Sequence, residues 1–240
     1  MISAELLAKY GLREADALDA VEVAIARALT HAFKKNIVVR INDRLEITAF
    51  SDRGEPVEIS TGEIDKRLRR HILHLVELEL QKRQTLRESE DLEELRGKTL
   101  PGEINRIGDN GTLHVALEFT DVFQQQTLAG ECPVDHQPPH ERGLYRIGEV
   151  KEFFISSVLP IVANGRSANV RIRLSRTSKE LPALLLQERT GIYGIECKRR
   201  VAGGFSNIVT PTRIPKEAIN HVGKELGERL NVSISQTSGK

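Results

Sequence analysis

Tryptophan is absent from this 240-residue sequence, and its aromatic content is three tyrosines and seven phenylalanines. Core packing therefore falls to Leu, Ile, Val and Ala, and any aromatic left on the surface becomes informative. Cysteine is nearly absent too. Cys132 and Cys197 stand far apart with no secretory signal before them, which argues against a disulfide framework and leaves reduced thiols as the plain expectation. No apolar run approaches the roughly 20 residues that span a bilayer. The start, Met1-Ile-Ser-Ala-Glu-Leu-Leu, lacks the basic region and apolar core of a signal peptide, so the expected compartment is the cytoplasm, with no membrane partner. Catalytic signatures are missing as well: no Ser/His/Asp, Cys/His, Walker or dinucleotide motif occurs, and no carboxylate pair stands out. Neither an enzyme nor a cofactor is indicated.

What is present is a soluble, foldable composition, 39% hydrophobic and 29% charged, in a chain long enough for two or three small domains. The net charge of +1 hides an asymmetry. Residues up to Gly102 sum to −2, Glu103 to Gly165 to −5, and Arg166 to Lys240 to +8. The last third is the part suited to a polyanion, with an ordinary solvated surface as the alternative reading.

From Ala15 to Lys35, Leu18, Val21, Ile25, Leu29 and Phe33 recur at three- and four-residue steps, with Asp16, Asp19 and Glu22 leading and Lys34-Lys35 trailing. This predicts an amphipathic helix ended by Asn36, then two strands around the Asn42-Asp43 turn, with Gly54 breaking the pattern. A second helix is predicted from Thr61 to Glu90, its stripe formed by Ile64, Leu68, Ile72, Leu75 and Val76, opposite Lys66, Arg67, Arg69 and Arg70. Short β-rich runs follow: Leu100 to Ile107, Gly111 to Phe119, Val150 to Val162 and Val170 to Leu174. They predict a small barrel or sandwich. The stretch from Gly130 to Gly143, rich in Pro and His, reads as an exposed connection and a poor contributor to the core. Beyond Ser175 the order is helix (Lys179 to Arg189), hairpin around Ala202-Gly-Gly, helix (Pro215 to Leu230) and a final strand from Asn231.

Tyr145-Arg-Ile-Gly-Glu-Val-Lys, the long strand after it and Val170-Arg-Ile-Arg-Leu-Ser-Arg-Thr resemble the second half of an S1 domain, with Gly102-Glu-Ile as its first-strand element. Val23 to Asn36 is similar to the first helix of the NusA amino-terminal lobe, and Cys197-Lys-Arg-Arg-Val-Ala-Gly-Gly-Phe-Ser-Asn-Ile-Val to the hairpin of its first KH domain. In this order the segments resemble a shortened NusA. The resemblance implies an α+β multidomain chain: an RNA polymerase-binding lobe at 1–94, an S1 (OB-type) five-stranded β-barrel at 95–177, and a degenerate KH-like α/β lobe at 178–240. The Gly-x-x-Gly loop with which a KH domain clamps nucleic acid is missing, and Gly223-Lys-Glu-Leu-Gly227 reads instead as a helix end.

The resemblance also implies a polymerase-facing lobe, for which Lys34, Lys35, Lys66, Arg67, Arg69 and Arg70 are the contact candidates. For RNA the candidates are His114 and Phe119 on the barrel, Arg171, Arg173 and Arg176 on and after its last strand, and Lys198, Arg199 and Arg200 at the hairpin. Each has a plain alternative, a core aromatic or a solvated edge strand. Phe153 and Phe154 alternate, so at least one belongs to a core. Cys132, His136 and His140 are acceptable zinc ligand types at a spacing unlike that of a common finger, and no metal is assigned. The expected function is noncatalytic modulation of elongation, pausing, termination or antitermination, by competition with full-length NusA among other routes. The alternatives are a stand-alone S1/KH-type RNA-binding protein acting on mRNA or rRNA and, less well supported, a nuclease carrying an S1 module.

Overall fold

Alanine sets the packing of the amino-terminal helices. The computed structural model describes residues 4–42, 44–51, 55–120, 125–161 and 169–235, in two compact units: 1–91 with 160–170, and 92–159 with 171–240. In the first, α1 (Ala4–Tyr10) and α2 (Glu14–Phe33) precede an antiparallel sheet of β1 (Asn36–Ile41), β2 (Leu45–Phe50) and β3 (Pro56–Glu58), followed by the long α3 (Lys66–Glu93). The buried face of α2 is Ala17, Ala20, Ala24, Ile25, Ala28 and Leu29, and the expected Leu18, Val21 and Phe33 only flank it. Small side chains at helical spacing let neighbours approach: Ala17 and Ala20 share a cluster with Tyr10, Leu12 and Leu80, while Ile25 and Leu29 join Ile37, Val39, Ile47 and Ala49 of the sheet.

Two boundaries differ from expectation for local reasons. α2 ends at Phe33, capped by Lys34 in the left-handed conformation (φ 55°), and Asn36 begins β1. The helix expected from Thr61 is interrupted, because Ser60 and Glu63 form a capping box around a 3-10 turn and Ile64 is extended. The second start is capped by Asp65, whose Oδ1 accepts from the Leu68 N–H at 2.6 Å. Asp43 of the expected turn, and Gly54, lie outside the described residues.

The second unit opens with β4 (Thr99–Ile107), β5 (Leu113–Thr120), β6 (Gln125–Cys132) and the greater part of β7 (Val150–Ile161) and β8 (Asn169–Ser175). Their order, β4-β5-β6-β8-β7, closes on itself through the β4–β7 pairing, and β6–β8 is a parallel pair. Ile104, Leu113, Val115, Leu117, Phe153, Ile155, Ile172 and Leu174 are buried. Gly102 is required by space: a Cβ there would lie 2.4 Å from Val115 Cγ1 and 2.9 Å from Leu117 Cδ2. β6 is the fifth strand of the expected five, and the four β-rich runs do not mark its place because its polar start carries no apolar alternation.

A two-layer lobe of α4 (Leu181–Thr190), β9 (Glu196–Val201), β10 (Phe205–Thr210), α5 (Lys216–Leu226) and β11 (Arg229–Ile234) completes this unit, in the helix-hairpin-helix-strand order expected. β10 is central, antiparallel to β9 and parallel to β11. The last helix stops four residues earlier than predicted. Gly227 is left-handed (φ 63°), Glu228 N–H donates to the Gly223 carbonyl at 2.9 Å and Gly227 N–H to that of Lys224 at 3.4 Å, a Schellman ending. No second helix intervenes before β11, so the chain has no helix-to-helix loop there for a Gly-x-x-Gly clamp.

The Gly130 to Gly143 stretch corrects the expectation of an exposed connection. Cys132 and Gln137 are buried, and Gln137 Nε2 donates to the carbonyls of Gly111 and Cys132, each at 2.9 Å, which satisfies the corner internally. His140 rests against Gly203 and Gly227, either of which would strike its ring if it bore a Cβ. Phe153 lies inside the closed sheet, and Phe154, on the opposite face, packs against the core of the C-terminal lobe. Among the described residues no helix is long and apolar enough to cross a membrane.

Candidate nucleic-acid interface

Strand alternation sends Leu113, Val115 and Leu117 inward and leaves His114 on the outside of the closed sheet. Four strands meet there in one row: Arg106 on β4 opposes His114 on β5, His114 opposes Glu131 on β6, and Glu131 opposes Arg173 on β8. Arg106 Nη2 lies 2.9 Å from His114 Nε2. Arginine has donors only, so this contact makes Nε2 the acceptor and puts the ring proton on Nδ1, 4.0 Å from Glu131 Oε1. Arg171 Nε sits 3.5 Å from Glu131 Oε2. With one carboxylate among Arg106, Arg171 and Arg173, the row is net cationic although the surrounding stretch is acidic.

His114, Arg171 and Arg173 are thus brought together, while the side chain of Phe119 lies outside the described residues. Arg106 and Glu131 complete the row, and no sequence pattern marks them. A bulge between Ile104 and Arg106 breaks the alternation that would have placed Arg106, and Glu131 sits on the unmarked strand β6.

Arg176 does not belong to a surface. Its side chain is 0% exposed. Nε and Nη2 donate to the Glu141 carboxylate, each at 2.7 Å; Nη1 donates to the Glu152 carbonyl at 2.8 Å and Glu225 Oε1 at 3.1 Å; Nη2 also donates to the Glu225 carbonyl at 3.1 Å. All five guanidinium N–H groups are used, and none remains for a phosphate. Tyr145 donates its hydroxyl to the same Glu141 carboxylate. Burial alone would raise the Glu141 carboxyl, but its bonds to Arg176 outweigh it and hold the group below its ordinary range.

Beside this hub the Glu152 carboxyl is pushed up by burial and by the like charges of Glu188 and Glu225. A carboxylate whose folded value is raised costs stability once pH exceeds its unfolded value, about 4.3. Glu152→Gln is therefore expected to raise the thermal midpoint at pH 7 by about one to three degrees, and to lose that advantage near pH 4, in parallel melts at the two values.

Arg200 is a second correction. Its side chain is 2% exposed, and Nη2 and Nε lie 2.6 and 3.0 Å from Oε1 of the fully buried Glu228 side chain. The register shift opposite Asn207 turns Arg200 under the sheet, toward Glu228. Its neighbours stay outside: Lys198 meets Glu196, and Arg199 is exposed with its guanidinium carbon 5.6 Å from the Phe205 ring centre.

In the first unit Lys34, Lys35, Lys66, Arg67, Arg69 and Arg70 are all exposed. Arg69 is partly engaged, its Nε donating to the Ile64 carbonyl at 3.0 Å. The end of α2 and the start of α3 enclose a shallow groove in which Phe33 and Leu68 stand among His31, His71, Arg67 and the acids Glu63 and Asp65, with Lys34 and Lys35 following directly on Phe33.

Among the described residues no three His, Cys, Asp or Glu side chains are grouped to hold a metal ion. Cys132 is buried, 3.6 Å from the His136 carbonyl, and burial pushes its thiol up to about 12, far from a thiolate ligand. No protein-family model matches the chain, and no curated protein matches it at a significant level.

Proposed function

We propose that this chain is a noncatalytic NusA-like transcription factor, which holds RNA polymerase through its amino-terminal unit and modulates elongation, pausing, termination or antitermination, with auxiliary RNA contacts. The observation that carries this reading is the strand order of the closed sheet. Counted along the chain it is 1-2-3-5-4 with strands 3 and 5 parallel, as in an S1 or OB-type barrel, and an α-β-β-α-β lobe follows directly. That is the succession the resemblance requires, with a KH-like lobe that lacks its phosphate clamp.

The amino-terminal cations support the polymerase half. Lys66, Arg67, Arg69 and Arg70 occupy the first turns of α3, with no acidic residue in its first turn, although a helix start favours anions by about 0.3–1 kcal/mol each. Asp65 caps this helix start, and the four exposed cations that follow it suit an acidic protein partner. Retention of purified RNA polymerase by the immobilised chain, unaffected by nuclease, is the expected result. Reversing Lys66, Arg67 and Arg70 to Glu is expected to lower retention about tenfold or more, with the fold intact by circular dichroism, because the interfacial charges become repulsive. Displacement of full-length NusA would establish the competitive role. No retention at all would reject the polymerase half, and tight RNA binding in its absence would favour the stand-alone RNA-binding reading, to which the Arg106-His114-Arg173 row lends support.

A further inference from the structure

The C-terminal sheet has one covered face and one open face. Ser206, Ile208 and Thr210 of its central strand are buried on the helix side, where Ile195, Cys197, Ile208, Val222 and Leu226 form the core. Phe205, Asn207 and Val209 alternate to the other side and are half-buried, as on an uncovered central strand, while Arg199, Arg229, Asn231 and Ser233 on the flanking strands are exposed. Phe205 lies directly opposite Arg229 on β11, and the guanidinium of Arg199 on β9 lies over its ring. One step along, Asn231 Nδ2 donates to Asn207 Oδ1 at 3.1 Å, an amide pair with further donors and acceptors free on the same face. Neither Arg199 nor Arg229 has a carboxylate partner among the described residues. Glu196, which meets Lys198, is the one acid on this side of β9.

We propose that this open face binds single-stranded nucleic acid, with Phe205 and the Arg199 guanidinium plane as the stacking platform, Arg199 and Arg229 as phosphate contacts, and Asn207 and Asn231 reading a base edge. The chemistry selects the ligand. Two guanidiniums without acidic partners flanking one aromatic ring complement a chain that alternates phosphates with exposed π-faces, and a duplex hides those faces. The inference rests on the RNA-contact half of the function above, and it locates that contact in a lobe that has no Gly-x-x-Gly clamp.

The test is fluorescence anisotropy of the full 240-residue chain with an unstructured 12-nucleotide RNA, the same sequence as DNA, and the duplex, between 50 and 200 mM salt. Single strands are expected to bind in preference to the duplex, and the RNA and DNA arms report whether the 2′-hydroxyl is read. Phe205→Leu keeps apolar bulk but loses the ring, and is expected to weaken binding about tenfold. Arg199→Gln with Arg229→Gln is expected to flatten the slope of log K against log salt by about 1.4, two phosphates at about 0.7 each on a single strand. Glu196→Gln removes the acid and is expected to tighten binding about twofold, a gain that misfolding cannot produce.

Wild-type binding that survives the Phe205 and Arg199/Arg229 variants with unchanged affinity and slope would overturn this site while leaving RNA contact elsewhere intact. Absence of wild-type binding at 50 mM salt would overturn both the site and the RNA half of the function, with polymerase retention still reporting on the other half. Self-association lost in Phe205→Leu with RNA affinity unchanged would assign the face to a second copy and overturn the proposal.

Discussion

Replacing Arg176 with alanine is expected to remove about 3–5 kcal/mol from the unit that holds its partners, a large share of the stability of an ordinary domain. The magnitude follows from what would be left behind. Glu141, 12% exposed at its side chain, would lose a bidentate partner at 2.7 Å on each oxygen, and the carbonyls of Glu152 and Glu225 would lose their bonds to the guanidinium. An unpaired buried charge costs far more than the intact pair contributes.

Arg176→Lys keeps the charge but replaces five fixed donors with three on a flexible stem, so its loss is expected to be smaller, on the order of 1–3 kcal/mol. Arg176→Met combined with Glu141→Leu removes both charges and is expected to recover much of the alanine loss. The pH dependence has a definite sign: Glu141 is held below its unfolded value, so its contribution is present above about pH 4.3 and lost as pH falls through the folded value. Urea melts at pH 7 and pH 4 should show the gap between wild type and Arg176→Ala narrowing in acid. A gap under about 1 kcal/mol at pH 7 would mean that the hub is solvated rather than buried.

The second large effect is expected at Glu228. Its fully buried carboxylate accepts from Arg200 Nε and Nη2, from Gly203 N–H at 3.1 Å and from Ser206 Oγ at 2.6 Å, joining the β9–β10 turn to the start of β11. Glu228→Ala strands the Arg200 guanidinium, 2% exposed, with the Ser178 carbonyl as its remaining partner, and is expected to cost about 3–5 kcal/mol. Glu228→Gln retains one acceptor oxygen and is expected to cost less than half of that. Hydrogen exchange should localise the damage to the hairpin, with faster exchange at Gly203 and along β9. Because this hairpin presents Arg199 and Phe205, the same variant is expected to weaken RNA binding without touching the ligand. If exchange at the hairpin is unchanged, Glu228 is not its anchor.

The two arginines also show where reading residues in order reaches its limit. Arg171, Arg173 and Arg176 look equivalent as cations near the end of one strand. Arg171 and Arg173 fall two apart and stay on the outer face, whereas Arg176 lies past the end of β8 and meets Glu141, 35 residues earlier, and Glu225, 49 residues later. Lys198, Arg199 and Arg200 form an unbroken basic run, yet the register shift opposite Asn207 turns only the third beneath the sheet, where Glu228 waits. A bulge and a partner distant in sequence leave no periodic trace, so neither fate was legible.

Local physics was legible. The 3.6-residue recurrence and end charges of α2, the alternation along β5, β7 and β8 and the helix-ending role of Gly227 each depend on residues within a few positions of one another. Sequence by itself therefore determined the succession of the main helices and strands, though not α1, β3 or β6, and the surplus of positive charge in the last third. Tertiary structure alone decided which cations remain available. Burial selects Arg176 as the pin between closed sheet and lobe and Arg200 as the pin of the hairpin within the lobe, while the row across four strands and the open sheet face collect Arg106, Arg171, Arg173, Arg199 and Arg229 from strands separated along the chain. The reason is that a charge entering the interior must bring its counter-charges with it, and those partners are assembled by folding rather than by proximity in the chain.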